Sequence, residues 1–175
     1  MRKLKLSLAC SLDQFIVAPD GSIDWIRMDA DYGMNAFFAS VDATLIGRAS
    51  YDWGRRSGNK FFSSMKNYVF SKSLPPGPEG EVEIISEDAA EFTRTLKQRP
   101  GKDIWLFGGH ALASSLMNAG LVDEITLAVH PVLLGGGIPV FGPLTERQSW
   151  HLESSTAYPN DVVVIRYSKL PASPV

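Results

Sequence analysis

The stretch Asp103-Ile104-Trp105-Leu106-Phe107-Gly108-Gly109-His110-Ala111-Leu112 decides the fold. Asp103 to Phe107 is a short apolar run between the Arg99-Pro100-Gly101-Lys102 turn and a glycine pair, which is how a buried strand reads. Gly108-Gly109 then opens a helix to Ala119, and Gly120 fits the position just past its end. A strand that runs directly into a helix is the building unit of a parallel sheet, because parallel strands need a long crossover between them.

The same unit recurs upstream. Ala43-Thr44-Leu45-Ile46-Gly47 is a short buried strand, and Arg48 to Trp53 reads as the first turns of a helix. Asn67 to Ser71 and Val82 to Ile85 are further strands, separated by a surface loop, Leu74 to Gly80, that its prolines and glycines mark. Ser86 and Asp88 are candidate caps for a helix to about Gln98, whose apolar stripe is Ala89, Phe92 and Leu96. Nearer the start, Leu4, Leu6, Leu8, Cys10 and Leu12 alternate with Lys5, Ser7, Ala9 and Ser11, a period of two. The small face of that strand suits either a flat ligand or a covering helix. Phe15-Ile16-Val17 is extended, Ala18 to Ser22 is a turn, and the spacing of Met34, Phe37 and Phe38 predicts a helix from about Asp29 to Ser40.

Beyond residue 120 only strands remain. Glu124 to Leu134 reads as one long apolar strand, and Leu152–Tyr158 with Val162–Tyr167 reads as a hairpin around Pro159-Asn160-Asp161. This order predicts an α/β fold of three layers, α/β/α, with a mostly parallel mixed sheet and a C-terminal antiparallel hairpin. Residues 1–170 make one domain and 171–175 a C-terminal tail.

A chain of 175 residues buries enough surface to need no disulfide or metal staple. With 17 basic and 19 acidic residues the net charge is −2, so no broad field draws nucleic acid or an anionic membrane, and any anion needs a local site. The lone Cys10 excludes an intrachain disulfide framework, and the basic start, Met1 to Lys5, leads into alternating residues and not into a signal-peptide core. The expectation is a cytoplasmic protein that does not enter a membrane.

Three strand ends pass into small or hydrogen-bonding residues: Gly47-Arg48-Ala49-Ser50, Ser71-Lys72-Ser73, and Gly108-Gly109-His110-Ala111-Leu112. Ligands of open α/β sheets sit at such carboxyl ends, and helix N-termini suit phosphate. Side-chain-free Gly108 and Gly109 would let backbone donors reach a pyrophosphate, while Arg48, Ser71 and Lys72 suit a second, separate phosphate. Each stretch taken singly also fits an ordinary turn. The G-x-G-x-x-G fingerprint, the phosphate loop, H-E-x-x-H, paired cysteines and the G-x-S-x-G elbow are missing. His110, His130 and His151 are scattered, so no metal site is expected, and His130-Pro131 reads as structural.

Taken in order, Leu8–Ile16, Asp20–Trp25, Val41–Tyr51, Tyr68–Lys72, Ile104–Leu112 and His130–Phe141 resemble the dihydrofolate-reductase-like family. The closer branch is the reductase domain of bacterial riboflavin biosynthesis and its stand-alone relatives. The resemblance implies NADPH as cofactor, with Ala9 and Ile16 bordering the nicotinamide. It implies that Gly47, Arg48, Ala49 and Ser50 hold phosphates, that Ser71 and Lys72 lie near the 2′-phosphate, and that Gly108 and Gly109 meet the pyrophosphate, followed by His110, Ala111 and Leu112. Gln14 departs from the glycine that close relatives often carry. In dihydrofolate reductases a carboxylate on the first helix grips the pterin ring, and Asp31 has the matching spacing before Gly47, with Asp29 a near competitor.

The expected function is therefore hydride transfer from NADPH to a pyrimidine- or pterin-like heterocycle, with Asp31 as the catalytic carboxylate. Trp25, Phe38, Tyr51 and Trp53 are candidate walls of the pocket or simple core. The alternative is a non-catalytic nucleotide-binding protein that keeps the fold. Relatives in the riboflavin branch imply a homodimer, for which the Glu124–Leu134 strand and Gly135-Gly136-Gly137 are candidates.

Overall fold

A computed structural model describes residues 1–58 and 61–170, so the 171–175 tail lies outside the described residues. The strand that ends in Gly108, β7 (Asp103–Gly108), lies between β1 (Leu4–Ser11) and β3 (Val41–Gly47) and runs parallel to both. Beyond β3 come β4 (Lys66–Phe70) and β6 (Val82–Ile85), and on the other side of β1 lies β8 (Glu124–His130), all parallel. Antiparallel strands finish both edges: β5 (Gly77–Glu79) on β6, and β11 (Val163–Lys169) with β10 (Trp150–Ala157) on β8. The order is β10-β11-β8-β1-β7-β3-β4-β6-β5, and a separate pair joins β2 (Phe15–Val17) to β9 (Ile138–Pro139). The mostly parallel mixed sheet with a C-terminal antiparallel hairpin is the architecture expected from the order of elements.

Period-two alternation sends successive side chains to opposite helix layers. Leu4, Leu6, Leu45, Ile104 and Leu106 are fully buried beneath α3 (Ala89–Gln98) and α4 (His110–Asn118), against Phe92, Leu96, Leu112 and Leu116. Each such side chain contributes about 1.5–3 kcal/mol. On the other face Trp105 packs with Phe37 of α1 (Met34–Ser40), and Ile46 packs with Tyr51 of α2 (Arg48–Arg56). No helix among the described residues is long and apolar enough to cross a membrane.

Three expectations change. The first helix starts at Met34 and not near Asp29, because Tyr32 (φ 52°) and Gly33 (φ 80°) are left-handed and break the helical path. β8 stops at His130 and does not reach Leu134. Pro131 brings no donor, and the chain turns away to where the Asp13 carboxylate accepts from the amides of Leu134 and Gly135 (2.7 Å for Gly135). The Leu74–Gly80 loop holds the short edge strand β5, where Pro78 is tolerated because an edge strand needs only half its backbone groups paired.

β3 and β7 meet at their ends as bare backbone. A Cβ on Gly47 would stand 3.0 Å from Gly109 Cα, and one on Gly109 would stand 2.8 Å from Gly47 Cα. At the end of β8, His130 is 1% exposed, and its Nδ1 accepts from the Arg27 amide at 3.3 Å. Burial, then the Arg27 charge, holds its imidazole below the ordinary histidine pKa.

Gly109→Ala should destabilise the fold by about 2–4 kcal/mol in urea unfolding, since it adds steric overlap to a left-handed strain. Gly80→Ala, with φ +61° and open space around it, should lose only about 1–2 kcal/mol. His130 gives a pH signature. Its folded pKa is depressed, so the unfolded chain takes up the proton first as pH falls below about 6.5, and stability drops from there downward. Melting temperatures between about pH 7.5 and 5 should show that fall, and His130→Gln should flatten it.

Candidate active site

The carboxyl ends of β1, β3, β4, β7 and β8 surround one cleft of about 1700 Å3. Its position follows from strand order, because β7 returns between β1 and β3 and the crossovers on its two sides diverge, leaving a crevice. The residues expected to hold the cofactor, and Asp31, all border it: Ala9, Ile16, Asp31, Gly47, Arg48, Ala49, Ser50, Ser71, Lys72, Gly108, Gly109, His110, Ala111 and Leu112; Asp29, the competitor of Asp31, is not among its lining residues. The elements bring them together from six separate stretches of chain.

One end is built from backbone. The contact of Gly47 with Gly109 sets the starts of α2 and α4 side by side, and neither helix has a side-chain cap. The start of α3 also borders the cleft, but it is capped by Asp88, whose carboxylate accepts from the Ala90 and Glu91 amides at 2.9 and 3.1 Å. The first amides of α2 and α4, on residues that border the cleft, thus keep the donor capacity and partial positive charge that a cap would consume. A Cβ on Gly108 would project toward Ser50 Oγ, 3.7 Å away at the start of α2, so a side chain there would fill space between the two helix starts.

Arg48 stands beside these amides. Its Nε donates to Asp52 at 2.7 Å, which orients the guanidinium, and its Nη1 donates to Ser73 Oγ at 2.8 Å and Ser71 Oγ at 3.3 Å. Ser71 is buried and in turn accepts from the amides of Ser73 and Leu74. Lys72 is exposed at the rim. Ser73 is the nearer of the two serines; the sequence marks it within the Ser71-Lys72-Ser73 strand end but there assigns the phosphate only to Ser71 and Lys72.

The other end has a floor of small side chains on the sheet. Ser7 and Ala9 of β1 lie in register with Thr126 and Ala128 of β8, and Ala128 with Val164 of β11; all five border the cleft. Trp105, Phe38 and Tyr32 stand around that floor, and the Trp105 indole donates to Ser7 O at 3.1 Å. Of the four aromatic candidates, Phe38 and Trp53 border the cleft, whereas Tyr51 is core beside Val69 and Ile84 and Trp25 packs edge-on against His130.

Asp31 is exposed and sits in the loop before α1, not on the helix. Its Oδ1 accepts from the Asn35 amide at 3.0 Å, which leaves Oδ2 without a partner among the described residues. His130 also borders the cleft, and its Nε2 and the Trp25 indole N–H are buried without hydrogen-bond partners among the described residues.

Some chemistry is disfavoured. Burial pushes the Cys10 thiol up to about 12, far from a nucleophilic thiolate. Among the described residues no group of three or more His, Cys, Asp or Glu side chains could hold a metal ion. What the cleft offers is an end lined by uncapped helix starts and the Arg48 guanidinium, a floor of small side chains and a carboxylate at its edge.

Similarity to known proteins agrees with this layout. The chain is 36% identical to the Bacillus subtilis protein YyaP, over 95% of its own length and 94% of that protein's. Its fold matches that of a Shewanella sp. PV-4 protein assigned to riboflavin biosynthesis, with a TM-score of 0.86 at 23% identity, covering 97% of this chain and 99% of that one. It also matches part of a Thermotoga maritima diaminohydroxyphosphoribosylaminopyrimidine deaminase/5-amino-6-(5-phosphoribosylamino)uracil reductase, with a TM-score of 0.73 at 16% identity. There it covers 97% of this chain but only 57% of the Thermotoga one. The model of the RibD C-terminal domain fits residues 2–164, and the chain belongs to that family.

Proposed function

We propose that the protein is an NADPH-dependent reductase that transfers a hydride to a pyrimidine- or pterin-like heterocycle. The observation that carries this reading is the pair of uncapped helix starts, α2 and α4, meeting over one cleft with Arg48 suspended between Ser71 and Ser73. NADPH would supply the hydride, and a proton completes reduction of a C=N or C=O bond. The amides of Arg48, Ala49, Ser50, His110, Ala111 and Leu112 would bind the pyrophosphate, with Gly47, Gly108 and Gly109 clearing the approach. Arg48, Ser71, Ser73 and Lys72 would bind the 2′-phosphate through charge-assisted hydrogen bonds.

Ala9 and Ile16 would border the nicotinamide. The floor of Ser7, Thr126, Ala128 and Val164 would seat a flat ring beside it, since none of these side chains is bulky enough to fill the space. Asp31 would accept, through its free oxygen, the N–H of the N-protonated C=N bond, favouring the cationic form whose carbon takes the hydride more readily, with the proton drawn from water. The two ends of the cleft divide the labour, the first for the cofactor and the second for the substrate. A cytoplasmic setting and a homodimer complete the proposal, and sedimentation at micromolar concentration reads the latter.

Trp53 borders the cleft on α2, so tryptophan quenching reports binding. Arg48→Ala should raise the dissociation constant for NADPH by about 10–100-fold, the worth of charge-assisted bonds to a phosphate, while that for NADH changes by less than about three-fold. Equal loss for both nucleotides would contradict the 2′-phosphate assignment. Turnover is followed at the nicotinamide absorbance over a panel of pyrimidines and pterins. Asp31→Asn should lower kcat/KM by about 100-fold and leave NADPH affinity unchanged. Tight NADPH binding with no oxidation across the panel would favour a non-catalytic nucleotide-binding protein.

A further inference from the structure

The loop from Ile23 to Gly33 walls the substrate end of the cleft and carries Asp31, yet little within it holds it in place. Among the described residues its internal backbone bond is the Ile26 amide to Ile23 O at 3.1 Å, and α1 reaches back to it through the Met34 amide to Asp31 O at 2.8 Å and the Phe37 amide to Gly33 O at 3.0 Å. It also contains Tyr32 at φ 52°, a conformation that side chains other than glycine adopt only when contacts impose it.

Those contacts come from the far end of the chain. Asn160, half-buried in the turn between β10 and β11, donates from Nδ2 to Asp29 Oδ1 at 2.6 Å and to the Tyr32 hydroxyl. The Tyr32 hydroxyl donates to the same Asp29 oxygen at 3.1 Å. The Arg27 guanidinium donates to Asn160 O and lies 3.9 Å from Asp161. The Tyr32 ring packs edge-on against Tyr158, with centroids 5.0 Å apart, and against His130 at 5.9 Å. Asn160 itself sits on firm ground. The Tyr158 amide donates to Val162 O at 2.8 Å, the Asp161 amide donates to Tyr158 O at 3.0 Å, and Val162 is fully buried. A rigid hairpin tip thus grips a loop with few bonds of its own, through one amide that meets both a carboxylate and a phenol.

We propose that Asn160 is a positioning residue: from the β10–β11 turn it latches the Ile23–Gly33 loop over the substrate end of the cleft and so sets where Asp31 stands. Its bearing on turnover rests on the reductase reading above, whereas the latch can be measured without any substrate. A merely structural asparagine would serve its own turn, since Asn160 Oδ1 accepts from the Val162 amide at 3.4 Å. Asn160→Asp separates the two roles. It keeps that acceptor, removes the N–H donors and sets a carboxylate against Asp29.

Amide hydrogen exchange on the full chain decides the matter. In Asn160→Asp the amides of Arg27 to Met34 should exchange about ten-fold faster or more, as expected when a charge-assisted hydrogen bond is lost and local opening becomes easier. Amides of β10, β11, β1 and α4 should keep their rates. Tyr32→Phe, which deletes one oxygen and keeps the ring, should speed the same loop by a smaller factor. NADPH affinity should stay within about two-fold of the parent, because Asn160 lies outside the phosphate end. For any heterocycle the parent reduces, KM should rise by about ten-fold and kcat by far less, because loop order is then drawn from binding energy. Loop amides unchanged in Asn160→Asp would overturn the latch, and so would exchange that rises equally across the hairpin. A panel with no turnover would count against the reductase reading and leave the exchange result standing.

Discussion

The approach of two glycines, Gly47 and Gly109, governs everything around it. With no Cβ on either residue, the ends of β3 and β7 come within backbone contact. Two helices therefore start next to each other, and their unpaired amides face the same space. A side chain at either position would push the strands apart at the point where the sheet hands over to its helices. Conformational tolerance at Gly109 and close packing at Gly47 are one requirement seen from two strands.

The cleft's two ends are made of different materials. The end proposed for the phosphates is main chain and short side chains fixed to the ends of buried strands, with the guanidinium of Arg48 held in place by Asp52. The substrate end is a sheet floor plus a loop that depends on a distant hairpin. Rigid strand ends suit a ligand whose shape is constant, and a loop held by a few side-chain contacts can change from one sequence to another without disturbing the sheet.

The phosphate end was legible in the sequence because its signals are local. Gly-Gly after an apolar strand, Gly-Arg before a helix and Ser-Lys-Ser after a strand each mark a strand end within a few residues, and the fold only had to bring them together. The substrate end was legible in part. The small face of β1 showed in its alternation, but its partners Thr126, Ala128 and Val164 became a floor only through register. The start of α1 was misread because Met34, Phe37 and Phe38 carry helical spacing, whereas the break at Tyr32 is imposed by Asn160, a residue far along the chain. The end of β8 was misread for a similar reason: Asp13, not any residue near Leu134, draws the chain aside. Pro78 hid β5, since proline argues against a strand everywhere but at an edge.

The strand order carries a consequence for how the chain comes together. β1 and β3 are the first two strands of the main sheet in sequence yet never pair, because β7 fills the place between them. Until residues 103–108 have been made, the middle of the sheet has a vacancy, and the earlier strands can form only the β3-β4-β6-β5 portion. A ribosome-bound chain that stops short of β7 therefore leaves the facing edges of β1 and β3 unpaired and lacks the cleft. Insertion of that strand joins β1 to the β3 side of the sheet, and the crevice is complete only once β8 and β11 have been added beyond β1.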